Sequence, residues 1–203
     1  MYHNFLKRII DCTLAIIGTI VLSPLFLLLI ILIKLDSSGP ILFRQKRVGL
    51  NKKCFEIMKF RTMRINTPKD MPTHMRENPD YYITKMGRFL RNTSLDELPQ
   101  FFNIIKGDMA IIGPRPALYN QYDLIKERDK YGANNIRPGL TGYAQINGRD
   151  ELAIEIKSKL DGEYVHKMSF VFDVKLFFLT ILKVLKSEGV KEGVDREKEI
   201  VGV

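Results

Sequence analysis

The sequence has little of what staples small folds or holds metals. Its 203 residues include two cysteines, three histidines and no tryptophan. Cys12 and Cys54 make no disulfide framework, and Cys12 sits in an apolar run, which points to a reducing, cytosol-facing compartment. His3, His74 and His166 are too scattered for a zinc site. There is no internal repeat and no low-complexity tract, so the chain is not a repeat array. It also lacks zinc-finger spacing, a helix-turn-helix pattern and an aromatic RNA-binding motif, and nucleic acid is set aside as a partner.

What is plentiful is positive charge and apolar surface. Lysine and arginine number 32 against 23 acids, a formal charge of +9 with a pI near 9.5. That balance favours anionic partners such as acidic lipid or a phosphorylated substrate. The length allows one domain with a real core plus an appendage.

The appendage is N-terminal. Lys7 and Arg8 precede a stretch from Cys12 to Ile33 without a charged residue. Roughly 20 apolar residues suffice to cross a bilayer as a helix. The run is too long for a signal peptide, and no small-residue cleavage site follows it. Ser23-Pro24 lies at its middle. Pro24 cannot donate to the Ile20 carbonyl, so the helix should kink or break there, with the Ser23 hydroxyl satisfying a freed carbonyl. Basic residues flank the run on both sides: Lys7 and Arg8 before, Lys34, Arg44, Lys46 and Arg47 after. A spanning helix usually has them on one side. A re-entrant membrane hairpin is therefore favoured, and a spanning helix is its alternative. The expected division is a hairpin over residues 1–36 and a catalytic domain over 37–203.

Beyond the turn Asp36-Ser37-Ser38-Gly39-Pro40, short strands are expected at Ile41–Phe43 and Phe55–Met58, separated by a basic turn from Gln45 to Lys53. Thr67 to Asp80 reads as a loop, and Tyr81 to Asn92 as helical. A brief strand is expected at Met109–Ile112, a surface helix over Ala117–Tyr131 and a polar helix over Glu151–Val165. Ser169 to Ser187 is apolar nearly all round with interleaved lysines, which suits burial or the membrane interface. The charged tail from Glu188 reads as loosely ordered.

Between these lies Ser94-Leu95-Asp96-Glu97-Leu98-Pro99-Gln100. Leu98, Phe101, Phe102 and Ile105 follow at helical spacing, and Gly107 is the stop. One reading is helix punctuation: Ser94 and Glu97 match a capping box, and acids suit a first helical turn. The other is chemical. A carboxylate can attack phosphorus, and Mg²⁺ commonly takes one or two carboxylates plus phosphate oxygens. Arg61, Arg88, Arg91, Arg115 and Arg137 lie in short, turn-rich segments, and Arg115 and Arg137 stand beside prolines. Arginine suits forked recognition of phosphate.

These segments, in their order, resemble the bacterial sugar transferases, the small monotopic phosphoglycosyl transferases. The resemblance covers nearly the whole chain. It rests on Ser23-Pro24, Phe43-x-Gln45-x-Arg47-x-Gly49, Lys59-Phe60-Arg61-Thr62-Met63, the Ser94–Gln100 segment and Lys106-Gly107-Asp108-Met109. Gly113-Pro114-Arg115-Pro116, Arg137-Pro138-Gly139-Leu140-Thr141-Gly142, Gln145-Ile146-Asn147-Gly148-Arg149 and Asp161-x-x-Tyr164-Val165 complete it. It implies a mixed, helix-rich α/β fold around a re-entrant helix, with amphipathic helices on the membrane. It also implies transfer of a phospho-sugar from a UDP-sugar to undecaprenyl phosphate with release of UMP, the first membrane step of capsule or exopolysaccharide assembly. On this reading Asp96 is the nucleophile and Glu97 the Mg²⁺-linked acid. Arg61, Arg88, Arg91, Arg115, Arg137, Gln145 and Asp161 are substrate-binding candidates. The protein would sit at the bacterial inner membrane with its catalytic domain on the cytoplasmic face, and a homodimer is the assembly carried forward. Tyr143 stands where relatives often have a bulkier aromatic. Two rival readings are an inactive membrane adaptor with a basic, lipid-binding body, and the catalytic end of a larger transferase. The identity of the sugar is not legible.

Overall fold

The computed structural model of the chain describes residues 2–67, 79–148 and 152–185. The uncharged run forms two helices, α1 (Lys7–Val21) and α2 (Ser23–Asp36), bent by 63° at Leu22. Pro24 lies in the first turn of α2, where its missing N–H is not needed. The Ser23 hydroxyl donates to the Ile20 carbonyl at 2.7 Å, so the break is satisfied from within. Among the described residues no single helix is long and apolar enough to cross a membrane, but the bent pair together is.

One side of this pair is core. Ala15 joins Ile57, Ile104, Met109, Ile112, Tyr164 and Leu176, while Phe26, Leu29 and Ile33 pack on Phe60 and Leu90. The other side is bare: Ile17, Ile20, Val21, Leu27, Leu28, Ile31 and Leu35 are all exposed. Such an apolar surface calls for lipid or a partner.

Strands β1 (Leu42–Val48) and β2 (Cys54–Phe60) form an antiparallel hairpin, with Leu42 opposite Phe60 and Val48 opposite Cys54. They run further than the sequence suggested. Arg44 and Lys46 point outward between half-buried Gln45 and Arg47, so period-two alternation is carried by charged residues that read as a turn. The true turn is Gly49–Lys53, with Asn51 and Lys52 at positive φ.

The expected helix over Tyr81–Asn92 is split into α3 (Pro79–Tyr82) and α4 (Lys85–Asn92). Thr84 starts α4 by accepting from the Gly87 N–H at 2.9 Å. After α5 (Gln100–Lys106), β3 (Ala110–Ile112) pairs in parallel with β4 (Gly139–Thr141). The surface helix expected over 117–131 shortens to α6 (Tyr122–Asp129), because residues 117 and 118 instead line the edge of β1. The chain continues through α7 (Tyr143–Ile146), α8 (Ile154–Lys167) and α9 (Phe170–Leu185). Most of the loop expected over 67–80, the start of the helix expected from Glu151 and the tail fall outside the described residues.

Parallel β3 and β4 explain the glycines of two motifs. A Cβ on Gly139 would sit 2.1 Å from the Gly113 nitrogen, and one on Gly142 would sit 2.0 Å from the Gly113 oxygen. Only glycine permits these backbones to approach so closely.

Candidate active site

The acid pair does not form the capping box. Ser94 is left-handed (φ 56°), and its side chain makes no cap hydrogen bond. Leu95–Glu97 is a single 3₁₀ turn, and Pro99 precedes α5, where its lack of an N–H costs nothing. Gly107 ends the helix at φ 101°, as its position suggested.

The Glu97 carboxylate is thus used elsewhere. Its Oε1 accepts from Lys59 Nζ at 2.5 Å and lies 3.4 Å from an Arg115 terminal nitrogen. Lys59 Nζ is also 3.8 Å from Asp96 Oδ2. Asp96 is only 9% exposed. Burial pushes its carboxyl above the ordinary range. Lys59 opposes that, Glu97 adds to it, and Arg91 and Arg115 oppose it. The result is a buried carboxylate that shares its cations with a neighbour.

Several elements place this cluster. Lys59 comes from the end of β2, and Asn103 of α5 is fully buried against that strand. Asn103 accepts from the Met58 N–H at 2.9 Å and donates to the Glu56 carbonyl at 2.8 Å. This pair of bonds sets α5, and the turn before it, against Lys59. The Arg115 segment is held by its backbone. The Arg47 guanidinium donates to the Pro116 carbonyl at 3.0 Å, Arg128 to the Arg115 carbonyl at 2.9 Å, and the Gly139 N–H to Pro114 at 2.9 Å. Arg91 Nε donates to the Thr62 hydroxyl at 2.9 Å, and exposed Arg88 precedes it at i, i+3 spacing on α4.

The other four candidates have the following contacts. Arg61 donates to the Ser37 and Ser38 carbonyls at 2.5 and 2.7 Å, so it latches the exit of α2. Asp161 accepts from Arg128 at 2.6 and 2.8 Å in a sealed pair, so it buttresses Arg115 from behind. Gln145 donates to Leu140 at 3.2 Å within the turn after β4. Arg137 donates to the Gly107 carbonyl at 2.9 Å, at the end of α5 away from Asp96. Gln145 Oε1 and Arg61 Nε remain buried without a hydrogen-bond partner among the described residues.

Sequence reasoning missed Lys59 and Asn103. Alternation puts residues 59 and 61 on one strand face, but β2 stops at Phe60 and the chain turns away. Asn103 was detectable as an amide amid the apolar Leu98–Ile105 pattern. Gln100, four residues after Asp96, is 2% exposed, and its Nε2 finds no hydrogen-bond partner among the described residues.

Among the described residues no group of three or more histidine, cysteine or acidic side chains could hold a metal. Two adjacent carboxylates do fit an ion such as Mg²⁺ that completes its shell with phosphate oxygens and water.

Adjacent acids ringed by lysine and arginine, beside a bare apolar helix pair, define a class: carboxylate sites equipped for phosphorylated substrates. The family follows from comparison. The family described as bacterial sugar transferase matches residues 2–187, and the chain belongs to it. It is 40% identical over 190 residues to the "uncharacterized sugar transferase EpsL" of Bacillus subtilis, covering 92% of this chain and 91% of that one. It is 40% identical over 189 residues to the UDP-glucose:undecaprenyl-phosphate glucose-1-phosphate transferase of Escherichia coli, covering 89% of this chain but 40% of that protein. The exopolysaccharide production protein ExoY of Sinorhizobium fredii is 37% identical over 197 residues, with 90% and 87% covered.

Proposed function

We propose that the protein moves a phospho-sugar from a UDP-sugar to undecaprenyl phosphate and releases UMP, at the start of capsule or exopolysaccharide assembly. The reading is supported by the names of relatives that act on undecaprenyl phosphate. The observation that carries it is the buried Asp96, adjacent to Glu97 and sharing Lys59 and Arg115 with it.

In this account an Asp96 carboxylate oxygen attacks the β-phosphorus of the UDP-sugar. The bond from that phosphorus to the bridging oxygen breaks, and UMP leaves with the electron pair. The lipid phosphate oxygen then attacks the aspartyl phosphate, and Asp96 leaves as a carboxylate. The exchange is ping-pong. Lys59 and Arg115, which meet at Glu97, would stabilise negative charge growing on the phosphoryl and leaving oxygens. Bound Mg²⁺, held by Glu97 and the diphosphate, would supply further charge neutralisation. Arg88 and Arg91 of α4 are the further phosphate contacts in this account.

The bare face of α1 and α2 is read as a re-entrant hairpin in the inner membrane, with residues 37–203 as a catalytic domain on the cytoplasmic face. The exposed apolar side chains of α9 lie in the interface. Cysteines placed singly at positions 4 and 38 should be labelled from the same face, whereas a spanning helix predicts opposite faces.

UMP release from a panel of UDP-sugars, measured with the purified full chain, tests the function. Release with at least one sugar is expected. No release with any, from folded protein, would favour the adaptor reading.

A further inference from the structure

A second recess, with an apolar floor that includes Ile112 and Ile136, lies at the far end of α5. It is a cavity of about 250 Å³ whose walls include Lys7, Arg8, Asp11, Asn135, Arg137 and Met168. Lys7, Arg8 and Arg137 meet the carboxylates of Asp11 and, behind Lys7, Asp173, so one positive charge is in excess. Arg8 and Arg137 are fixed by the end of the helix: Arg8 donates to the Ile105 carbonyl at 2.8 Å, and Arg137 to Gly107 at 2.9 Å. The partial charge on a helix's last carbonyls is well below one elementary charge, so two guanidinium groups exceed it. Lys7 Nζ is 2.6 Å from Asp173 and 3.4 Å from Asp11, and serves more as scaffold than as ligand.

The surroundings of this recess are apolar. Phe5 and Leu6 just before α1, Ile9 in its first turn, and Phe170 and Val171 at the start of α9 are exposed. The Tyr2 and Phe170 rings meet edge to face, which holds the two apolar edges together. A cationic recess whose Arg8 and Met168 have such exposed apolar residues as chain neighbours fits an anion that carries hydrocarbon. Its volume is at the low end for ligand sites, enough for a phosphate with a small substituent rather than a nucleotide-sugar. Seven-residue α5 separates it from the acid pair by about 10 Å of helix rise.

We infer that this cavity is a second phosphate site, and that it takes the phosphodiester head group of an acidic phospholipid. The site does not depend on the transfer chemistry, only on the hairpin's lying at a lipid surface.

Native mass spectrometry of the full chain in detergent, titrated with phosphatidylglycerol or phosphatidylcholine, tests it. Phosphatidylglycerol should be retained preferentially. Arg137→Gln should weaken that retention about tenfold, roughly the loss of one charge-assisted bond. Because Arg137→Gln also loosens the end of α5, Asn135→Asp provides a second variant. It adds a negative charge at an exposed wall position and should weaken retention as well. Arg115→Gln, at the other end of α5, should leave it unchanged. Displacement of the lipid by millimolar inorganic phosphate supports the site with free phosphate as a ligand. Retention against phosphate supports it with the lipid as the ligand. Equal retention of both lipids, or no loss in either Arg137→Gln or Asn135→Asp, overturns the inference.

Discussion

Asp96 and Asp161 are both buried aspartates in motifs of the same family, yet their surroundings differ. Asp161 has Arg128 to itself, with two nitrogens on one oxygen at 2.6 and 2.8 Å. Asp96 has its nearest ion-pair partner, Lys59, at 3.8 Å, and that lysine lies closer to Glu97 at 2.5 Å. A buried acid with a dedicated, hydrogen-bonded cation is architecture, because breaking the pair strands a charge. A buried acid that shares its cation is poised for chemistry.

Exchanging each acid for its amide should split the two most widely. Asp96→Asn should cost about 10⁴-fold or more in turnover, as removal of a nucleophile does. It should also raise thermal stability at neutral pH. The native carboxyl holds its proton above the ordinary range, so the ionised form costs stability once pH exceeds that range. The gain should fade as pH falls below it. A melting temperature lowered at pH 7 breaks the comparison on that side.

Lys59→Gln should lower turnover about 10²-fold, the scale for one electrostatic donor. Lys59 is the main influence holding the Asp96 carboxyl down, so its loss should move the acid limb of kcat/KM to higher pH. An unmoved limb would detach Lys59 from Asp96. Burial raises the Asp161 carboxyl as well, but Asp161→Asn strands Arg128, whereas Lys59 keeps Glu97 when Asp96 is lost, so the two variants should part in stability. Asp161→Asn should lose about 3 kcal/mol of stability in denaturation, because Arg128 is left buried and unpaired, with a smaller fall in turnover. The smallest effect belongs to Arg61→Gln. Loss of its bonds to Ser37 and Ser38 should cost about 2 kcal/mol without moving the pH profile. A shift in that profile would return Arg61 to the substrate site.

The sequence made the helix break legible because Pro24 and Ser23 act locally, on one turn of helix. Gly107 and the parallel-strand glycines were legible as stops and turns for the same reason. Asp96, Glu97 and Arg115 were legible as a constellation, and the structure does bring them together. What stayed hidden is what depends on where an element ends. Lys59 and Arg61 differ by two residues, yet the end of β2 sends one to the acids and the other to the exit of α2. Asp161 and Arg137 could be seen only as charged residues in motifs, because Arg128 and Gly107, which capture them, lie 33 and 30 residues away.

The central claim is that Asp96 forms an acyl phosphate with the phospho-sugar. Intact-mass analysis of the full chain, quenched after mixing with the UDP-sugar it accepts and no lipid phosphate, tests this directly. The account predicts an added mass of one phospho-sugar, mapped to the peptide containing Asp96 and absent from Asp96→Asn. Turnover in the presence of lipid with no such adduct, or the same adduct on Asp96→Asn, would contradict it.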